Sequence, residues 1–296
     1  MTKKIRIVTH DSKFHADEVL AVAVLHLILG DDTVETVRSR DPEIVATGDF
    51  VVDVGHVYDP QRNRYDHHQA KGAGVRPNGI PYASFGLVWK QFGEKLCGSK
   101  SVADEIESVM VIPIDATDNG VATIKRVYQE ISPYDFHDAI DIFNPHVSES
   151  VTHDVQFLKV LEMAKSVIER EIVKTRLRQE DDQYVHKIYN QTKDKRLIVL
   201  DRPTNTRFLG TVEEPLFCMI PSATGPEWTV HAIRIDPELF DYRAYFPKEW
   251  AGKIREDLAL TSGVRDAIFC HAHLFIAVAK SKEGALALAR LALKSS

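Results

Sequence analysis

In the first half of this 296-residue chain, short β-branched runs alternate with helix-spaced apolar stretches, and this constrains the fold more than any other feature. Ile5-Arg6-Ile7-Val8 is a strand signal. It is followed by Ala16 to Leu29, where Leu20, Val24, Leu27 and Ile28 recur at helical spacing. Thr33 to Val37 and Phe50 to Val54 read as further strands, with Asp41-Pro42 starting a helical turn between them. Val109 to Ile114 reads as another buried strand, and Ala70 to Pro81, rich in Gly and Pro, as a loop. Such alternation predicts an α/β fold with a mostly parallel sheet, whose ligands bind beyond the carboxyl ends of the strands.

The pattern changes along the chain. From Val155, the residues Leu158, Leu161, Ala164, Ile168 and Ile172 mark one face of a long helix reaching about Gln179, which we read as a connector. After Lys195, Arg196 to Leu200, Leu216 to Ile220, Thr229 to Ile235 and Ala267 to Ala279 read as strands, and Glu283 to Leu293 as an amphipathic closing helix. The expected organisation is a catalytic domain over 1–145, a helical connector over 146–194 and a smaller C-terminal α/β domain over 195–296.

Composition narrows the class. With 44% hydrophobic and 27% charged residues the chain is neither disordered nor a disulfide scaffold. The apolar run from Val19 to Gly30 is interrupted by His26 and falls short of the roughly 20 residues that span a bilayer. Cys97, Cys218 and Cys270 are scattered and in no metal spacing, which suits reduced thiols. The start, Met-Thr-Lys-Lys, carries no signal-peptide pattern, so the chain is expected to begin there and to be intracellular, in cytoplasm-like space. Residues 1–150 carry 15 Lys and Arg against 23 Asp and Glu, and the remainder 22 against 20. An acidic first half argues against a nonspecific duplex-DNA binder and suits a site whose carboxylates are neutralised by cations. A solvated acidic surface is the plainer alternative.

The chemistry concentrates at the predicted strand ends. Thr9-His10-Asp11-Ser12-Lys13-Phe14-His15-Ala16-Asp17 ends the first strand, and the Phe50 to Val54 strand contains Asp53. Tyr65-Asp66-His67-His68 comes next, and Asp115-Ala-Thr-Asp118-Asn119-Gly120 follows the Val109 run. In a parallel sheet these loops share one edge. Imidazole and carboxylate ligands without thiolates suit Mn²⁺, with Mg²⁺, Co²⁺ or Zn²⁺ as alternatives, and a bridging carboxylate would make a two-metal centre for phosphoester hydrolysis. Singly each residue has a structural reading, His10 or His15 as a helix cap and Asp17 as a partner of a helix dipole. Jointly they favour metal. His26, among Val24 and Leu27, reads as a hydrogen-bonded core or boundary histidine.

Asp66-His67-His68 after a strand containing Asp53 resembles the DHH phosphoesterase superfamily. More closely, Thr9-His10-Asp11-x-x-Phe14-His15-x-Asp17-Glu18, Val51-Val52-Asp53-Val54-Gly55, Tyr58-Asp59-Pro60, Arg64-Tyr65-Asp66-His67-His68-Gln69 and Asp115-x-x-Asp118-Asn119-Gly120 resemble the Myg1 family within it. Gly263-Val264-Arg265-Asp266, Phe269-x-His271-Ala272 and Lys282-Glu283-Gly284-Ala285-Leu286 extend the resemblance over nearly the whole chain.

The resemblance implies a metal-dependent phosphodiesterase, a 3′→5′ exonuclease on single-stranded RNA that releases nucleoside monophosphates. Carried over by motif, His10, His15 and Asp53 would hold one ion and Asp17, Asp53, His67 and Asp115 the other. Between Asp115 and Asp118, Asp115 is preferred as the residue nearest the expected strand end. His68 would face the scissile phosphate and Asp66 would orient the histidine pair. The wider superfamily usually has Asp where His15 stands. Substrate contacts are expected from Arg265, His271 and His273 of the second domain, the two histidines alternating on one strand, and from the arginines near the acidic site, Arg40 and Arg64 among them. Arg265 beside Asp266 also reads as a surface residue. A small phosphate compound (pyrophosphate, a cyclic dinucleotide or a very short oligonucleotide) is the alternative substrate, and a non-catalytic, metal-stabilised scaffold the alternative role. Oligomeric state stays open, a homodimer included, and a eukaryotic member of the family would be placed in the nucleus or mitochondrion.

Overall fold

A computed structural model describes residues 3–125, 127–128, 130–236 and 240–295, so Met1 and Thr2, where the chain is expected to begin, lie outside it. It divides into two units, Met1–Arg176 and Leu177–Ser296, and the division falls inside one long helix.

The first unit is built on a five-stranded sheet in the order β2-β1-β3-β5-β4. Its strands are β1 (Ile5–Thr9), β2 (Val34–Arg38), β3 (Phe50–Val52), β4 (Tyr58–Asp59) and β5 (Arg64–Tyr65). β1 pairs in parallel with both β2 and β3, and β3 with β5, while β4 is antiparallel at the edge. The chain runs from β1 out to β2 on one side and then returns to β3 on the other. That reversal opens a crevice beyond the carboxyl ends of β1 and β3. The first helix, α1 (Ala16–Leu29), is buried from Ala16 through Leu25. A helix that is apolar all round belongs in a core, and each fully buried Leu or Val side chain contributes about 1.5–3 kcal/mol. The short α2 (Pro42–Ala46) is capped by the Asp41 carboxylate, which accepts from the Glu43 N–H, and has Pro42 in its first turn.

α3 (Ser84–Cys97) packs on α1 with Phe85, Val88 and Trp89 buried. After α4 (Lys100–Ile106), the segment expected to be a strand is helical: a π-type turn over Glu107–Val111 leads into α5 (Ile112–Asp118). Pro113 explains the outcome, since proline fits the first turn of a helix but costs a central strand a ladder hydrogen bond. The unit also contains α6 (Phe136–Asp141). α7 (His153–Gln191) starts near the expected residue but runs 39 residues, a dozen beyond the expected end.

The second unit has its own mixed sheet, β6-β7-β8-β10-β9. Its strands are β6 (Leu197–Val199), β7 (Phe217–Pro221), β8 (Trp228–Ala232), β9 (Ala267–Cys270) and β10 (Ile276–Ala279). One face packs Phe217, Met219, Val230 and Ala277 against Leu288, Ala289 and Ala292 of the closing α9 (Lys282–Ser295), in a core shared with Leu258 of α8 (Arg255–Ser262). The other face packs Ile198 and Cys218 against Val185 and Tyr189 of α7. The expected strand from Ala267 to Ala279 is a hairpin, broken by a turn in which Leu274 has φ +59°. All three cysteines are buried free thiols. Among the described residues no helix is long and apolar enough to cross a membrane.

Candidate metal centre

Three strand ends of the first unit deliver side chains to the crevice. His10 follows β1, Asp53 follows β3, and Asp66, His67 and His68 follow β5. The start of α1 adds His15, Asp17 and Glu18, and the end of α5 adds Asp118. Asp53 sits at φ +56°, a conformation that costs a non-glycine residue of order 1–3 kcal/mol and that clusters at functional sites. The conformation is pinned by the Asp53 N–H donating to the Tyr65 carbonyl.

The two carboxylate oxygens of Asp53 face different groups. Oδ2 lies 3.3 Å from His10 Nε2, while Oδ1 lies 3.3 Å from His67 Nε2 and accepts a 2.8 Å bond from the Ser84 hydroxyl. His67 Nε2 is also 3.2 Å from Asp118 Oδ2 and 4.0 Å from Asp17 Oδ2. It makes no well-directed hydrogen bond, and Asp17 Oδ1 and Glu18 Oε2 are likewise buried without a partner. Glu18 Oε1 caps the His15 N–H at 2.8 Å and lies 3.0 Å from His10 Nε2.

The charges there do not balance. Burial pushes the Asp17 carboxyl well above its usual range, and repulsion from Asp53, Asp118 and Glu18 adds to it. Asp118 is raised by its burial too, against the attraction of His67. Burial lowers the His10 imidazole, but its bonds to Asp53 and Glu18 outweigh this and raise it to about 10. Burial opposes ionisation of Asp53, yet His10 and His67 hold its carboxyl far below the usual carboxylate range. Buried carboxylates with orphaned oxygens fit a cation in place of the missing counter-charge. Donor atoms within 4.8 Å of one another form the sets His10, His15 and Glu18; His15, Asp17 and Asp118; Asp53, His67 and His68; and Asp17, Glu18 and Asp53. These clusters could hold a metal ion, and their mixture of imidazole and carboxylate without thiolate suits a divalent cation.

Asp115 does not join them. Its Oδ2 is 2.7 Å from Arg76 Nη1 and its Oδ1 accepts from the Gly86 N–H, both inside the helical layer. The preference for Asp115 followed from the expected strand; on a helix the two residues lie almost a turn apart, and it is Asp118 that faces His67.

His68 stands apart from its neighbour, with about half of its side chain exposed. Asp66 Oδ1 accepts from both the His68 N–H and His68 Nδ1, at 2.9 and 2.8 Å, and Oδ2 accepts from the His56 N–H. The bond to Asp66 raises the His68 imidazole, against its burial. His10, His15, Asp53, Asp66, His67, His68 and Asp118 line a cleft of about 1240 Å³, with Arg40 and Arg64 on its wall, while Asp17 and Glu18 lie buried behind it. Arg40 is held by Asp11 and approaches His10 Nδ1 to 3.1 Å, and Arg64 Nη1 donates to the Arg62 carbonyl.

Sequence reasoning passed over Ser84, Arg76, His137 and any role for Glu18. His137 stacks on His15 with ring planes 4° apart and centroids 6.4 Å apart. Of these, Glu18 was signalled by the capping spacing His15-x-x-Glu18. His26 bonds Asp31 and Thr36, each at 2.8 Å, as a hydrogen-bonded boundary histidine should.

In the second unit Arg265 is exposed just before β9, and its neighbour Asp266 accepts from Ser281 at the start of α9. His271 and His273 lie in the β9–β10 turn rather than on one strand, with ring centroids 5.4 Å apart.

This sequence matches the MYG1 exonuclease family model, described as Uncharacterised protein family (UPF0160), over residues 6–293. The chain belongs to the MYG1 family. MYG1 proteins of Chlamydia pneumoniae and Chlamydia trachomatis serovar D are 31% and 32% identical to it, each across 97% of this chain and 96% of their own length. The MYG1 exonuclease of Homo sapiens is 28% identical across 97% of this chain and 85% of its own. A solved exopolyphosphatase-related protein from Bacteroides fragilis aligns with 99% of the chain and 92% of its own at 13% identity and a TM-score of 0.23, too little to bear on the fold. For this MYG1 member the metal-compatible clusters therefore sit within a family that includes proteins named as exonucleases.

Proposed function

We propose that this protein is a metal-dependent 3′→5′ exonuclease that removes nucleoside monophosphates from single-stranded RNA, with Mn²⁺ as the working ion. The observation that carries the reading is Asp53, whose two oxygens face His10 on one side and His67 on the other, beside a histidine oriented by Asp66. The names of the mammalian relatives supply the exonuclease part.

In this reading His10, His15 and Asp53 would hold one ion, and Asp17, Asp53, His67 and Asp118 would hold the other. When bound, the ions supply a water of lowered pKa and neutralise charge on the phosphate. Glu18 positions His10 through Oε1, and Ser84 fixes the Asp53 carboxylate. His68, its Nδ1 bonded to Asp66, keeps Nε2 for substrate. The bond to Asp66 raises its pKa and so favours the protonated ring, which would give a proton to the leaving oxygen. Arg40 and Arg64 contact the phosphates, and Arg265, His271 and His273 are proposed as substrate contacts of the second unit.

The test compares labelled single-stranded RNA, the same sequence as DNA, pyrophosphate and a cyclic dinucleotide, with Mn²⁺ and with chelator. Stepwise release of monophosphates from the RNA 3′ end, abolished by chelator and lowered by at least about 10³-fold in Asp53→Ala, is expected. His67→Ala should lose bound metal, whereas His68→Ala should keep it and lose about 10² to 10⁴ in turnover. Hydrolysis of pyrophosphate alone, or equal metal loss in the two histidine variants, would overturn the substrate or the division of roles respectively.

A further inference from the structure

The cleft is far larger than two ions and a phosphate require, and its lining is mixed in chemistry. Histidines and carboxylates line it, and so do apolar side chains: Pro42, Val45 and Ala46 of α2, and Val57 of the loop leaving Asp53. None of these four side chains belongs to the hydrophobic core of the unit. Val45 is partly buried, but Pro42 and Ala46 are exposed and Val57 is 38% exposed, so burial on folding does not account for the apolar character of these three.

The wall is built close to the centre. Asp53 and Val57 are the two ends of one tight loop, in which Gly55 has φ +93° and His56 φ +55°. A β-carbon at Gly55 would come within 3.3 Å of Val45, so the loop lies directly against α2. The His56 N–H is bonded to Asp66, which couples the same loop to the residue that orients His68. Arg40 and Arg64 line the same cleft.

Resting on the exonuclease reading above, we infer that this aliphatic shelf holds the nucleobase of the terminal nucleotide while its phosphate lies at the Asp53 centre. Bare phosphate and pyrophosphate have nothing apolar to set there, whereas every nucleobase has an apolar face. Val, Pro and Ala side chains offer no hydrogen-bond donors or acceptors, so the shelf grips a base without reading which base it is. The base is held by contact area, and the phosphates by the arginines. Purine and pyrimidine ends should therefore be removed alike.

The test uses the full-length protein with Mn²⁺ and two RNA oligonucleotides that are identical except that one ends in an abasic 3′ residue. The wild type should favour the base-bearing end by about tenfold in kcat/KM, the scale of one well-buried apolar contact. Val57→Ser and Val45→Ser should each collapse that preference toward one, chiefly by raising KM for the base-bearing end, and Val57→Ile should retain it. Metal content and circular dichroism of the variants verify that the centre and the fold are intact. Equal cleavage of both ends by the wild type overturns the shelf while leaving the exonuclease reading in place. Failure to cleave either end with metal bound overturns the exonuclease reading, and the shelf falls with it.

Discussion

Removing the charge at Asp118 and at Asp115 separates two kinds of buried carboxylate. Asp118 lies against His67 among like charges, so Asp118→Asn should remove a metal ligand, lowering bound metal and cutting activity by about 10² or more. Asp115→Asn should leave metal content as it is, but take from the buried Arg76 guanidinium one of its two carboxylate partners, Glu107 remaining. Removing one partner of a buried pair costs at most about 3–5 kcal/mol, and less where a second carboxylate stays. Elemental analysis and urea unfolding of the two variants decide the matter, and Asp118→Asn with full metal and turnover would return the ligand role to Asp115. At this scale the sequence was readable where clustered imidazoles and carboxylates follow strand ends, as with His10, Asp53 and His67. It misled at Asp115 because the choice between two acids three residues apart depends on whether the backbone there is helical, and the apolar run Val109 to Ile114 is equally compatible with a strand.

The elements around the centre are spaced by a missing side chain. A β-carbon on Gly86 would fall 1.8 Å from Asp115 Oδ2 and 2.4 Å from Arg76 Nη2, so α3 approaches the Arg76–Asp115 pair only because residue 86 has none. Gly86→Ala should destabilise the unit by about 1–3 kcal/mol through overpacking. Because the same helix begins with Ser84, bonded to Asp53, turnover should fall as well. Urea unfolding and kcat measured together check this, and stability within about 0.5 kcal/mol of wild type would mean that the helix yields easily. Most elements of the first sheet were legible: β1, α1, β2 and β3 carry clean periodicities and their limits fall within a residue or two of expectation. α3 went unread, although Phe85, Val88, Trp89, Phe92 and Leu96 have helical spacing. The β9–β10 hairpin was masked by apolar residues on both sides of a turn that contains no glycine or proline.

For the molecule as a whole, the buried acids and histidines of the cleft should tie folding to pH and, if they hold an ion, to metal. Asp17 and Asp118, raised above the ordinary 3.8, bind protons more tightly folded than unfolded, so their contribution fades as pH rises through their raised values. His10, raised from 6.5 to about 10, acts in the same sense: it contributes fully below 6.5 and fades as pH climbs to about 10. The depressed Asp53 and Asp66 oppose this trend only as pH falls below 3.8. Chelated protein should accordingly melt at a higher temperature near pH 5.5 than near pH 8.5, and Mn²⁺, replacing the protons, should shrink or invert the difference. Melting curves at both pH values with chelator and with Mn²⁺ measure it, and a chelated protein that gains stability with rising pH would contradict the charge balance described. The three interior thiols carry a different consequence. Burial lifts Cys97 to about 11 and Cys270 to about 12, and Cys218 higher still, so almost no thiolate exists at neutral pH to react with an oxidant or an alkylating reagent. Each sulfur becomes reactive only when its surroundings open. The rate at which a maleimide finds Cys97 therefore clocks the breathing of the first unit, and the rates at Cys218 and Cys270 clock that of the second.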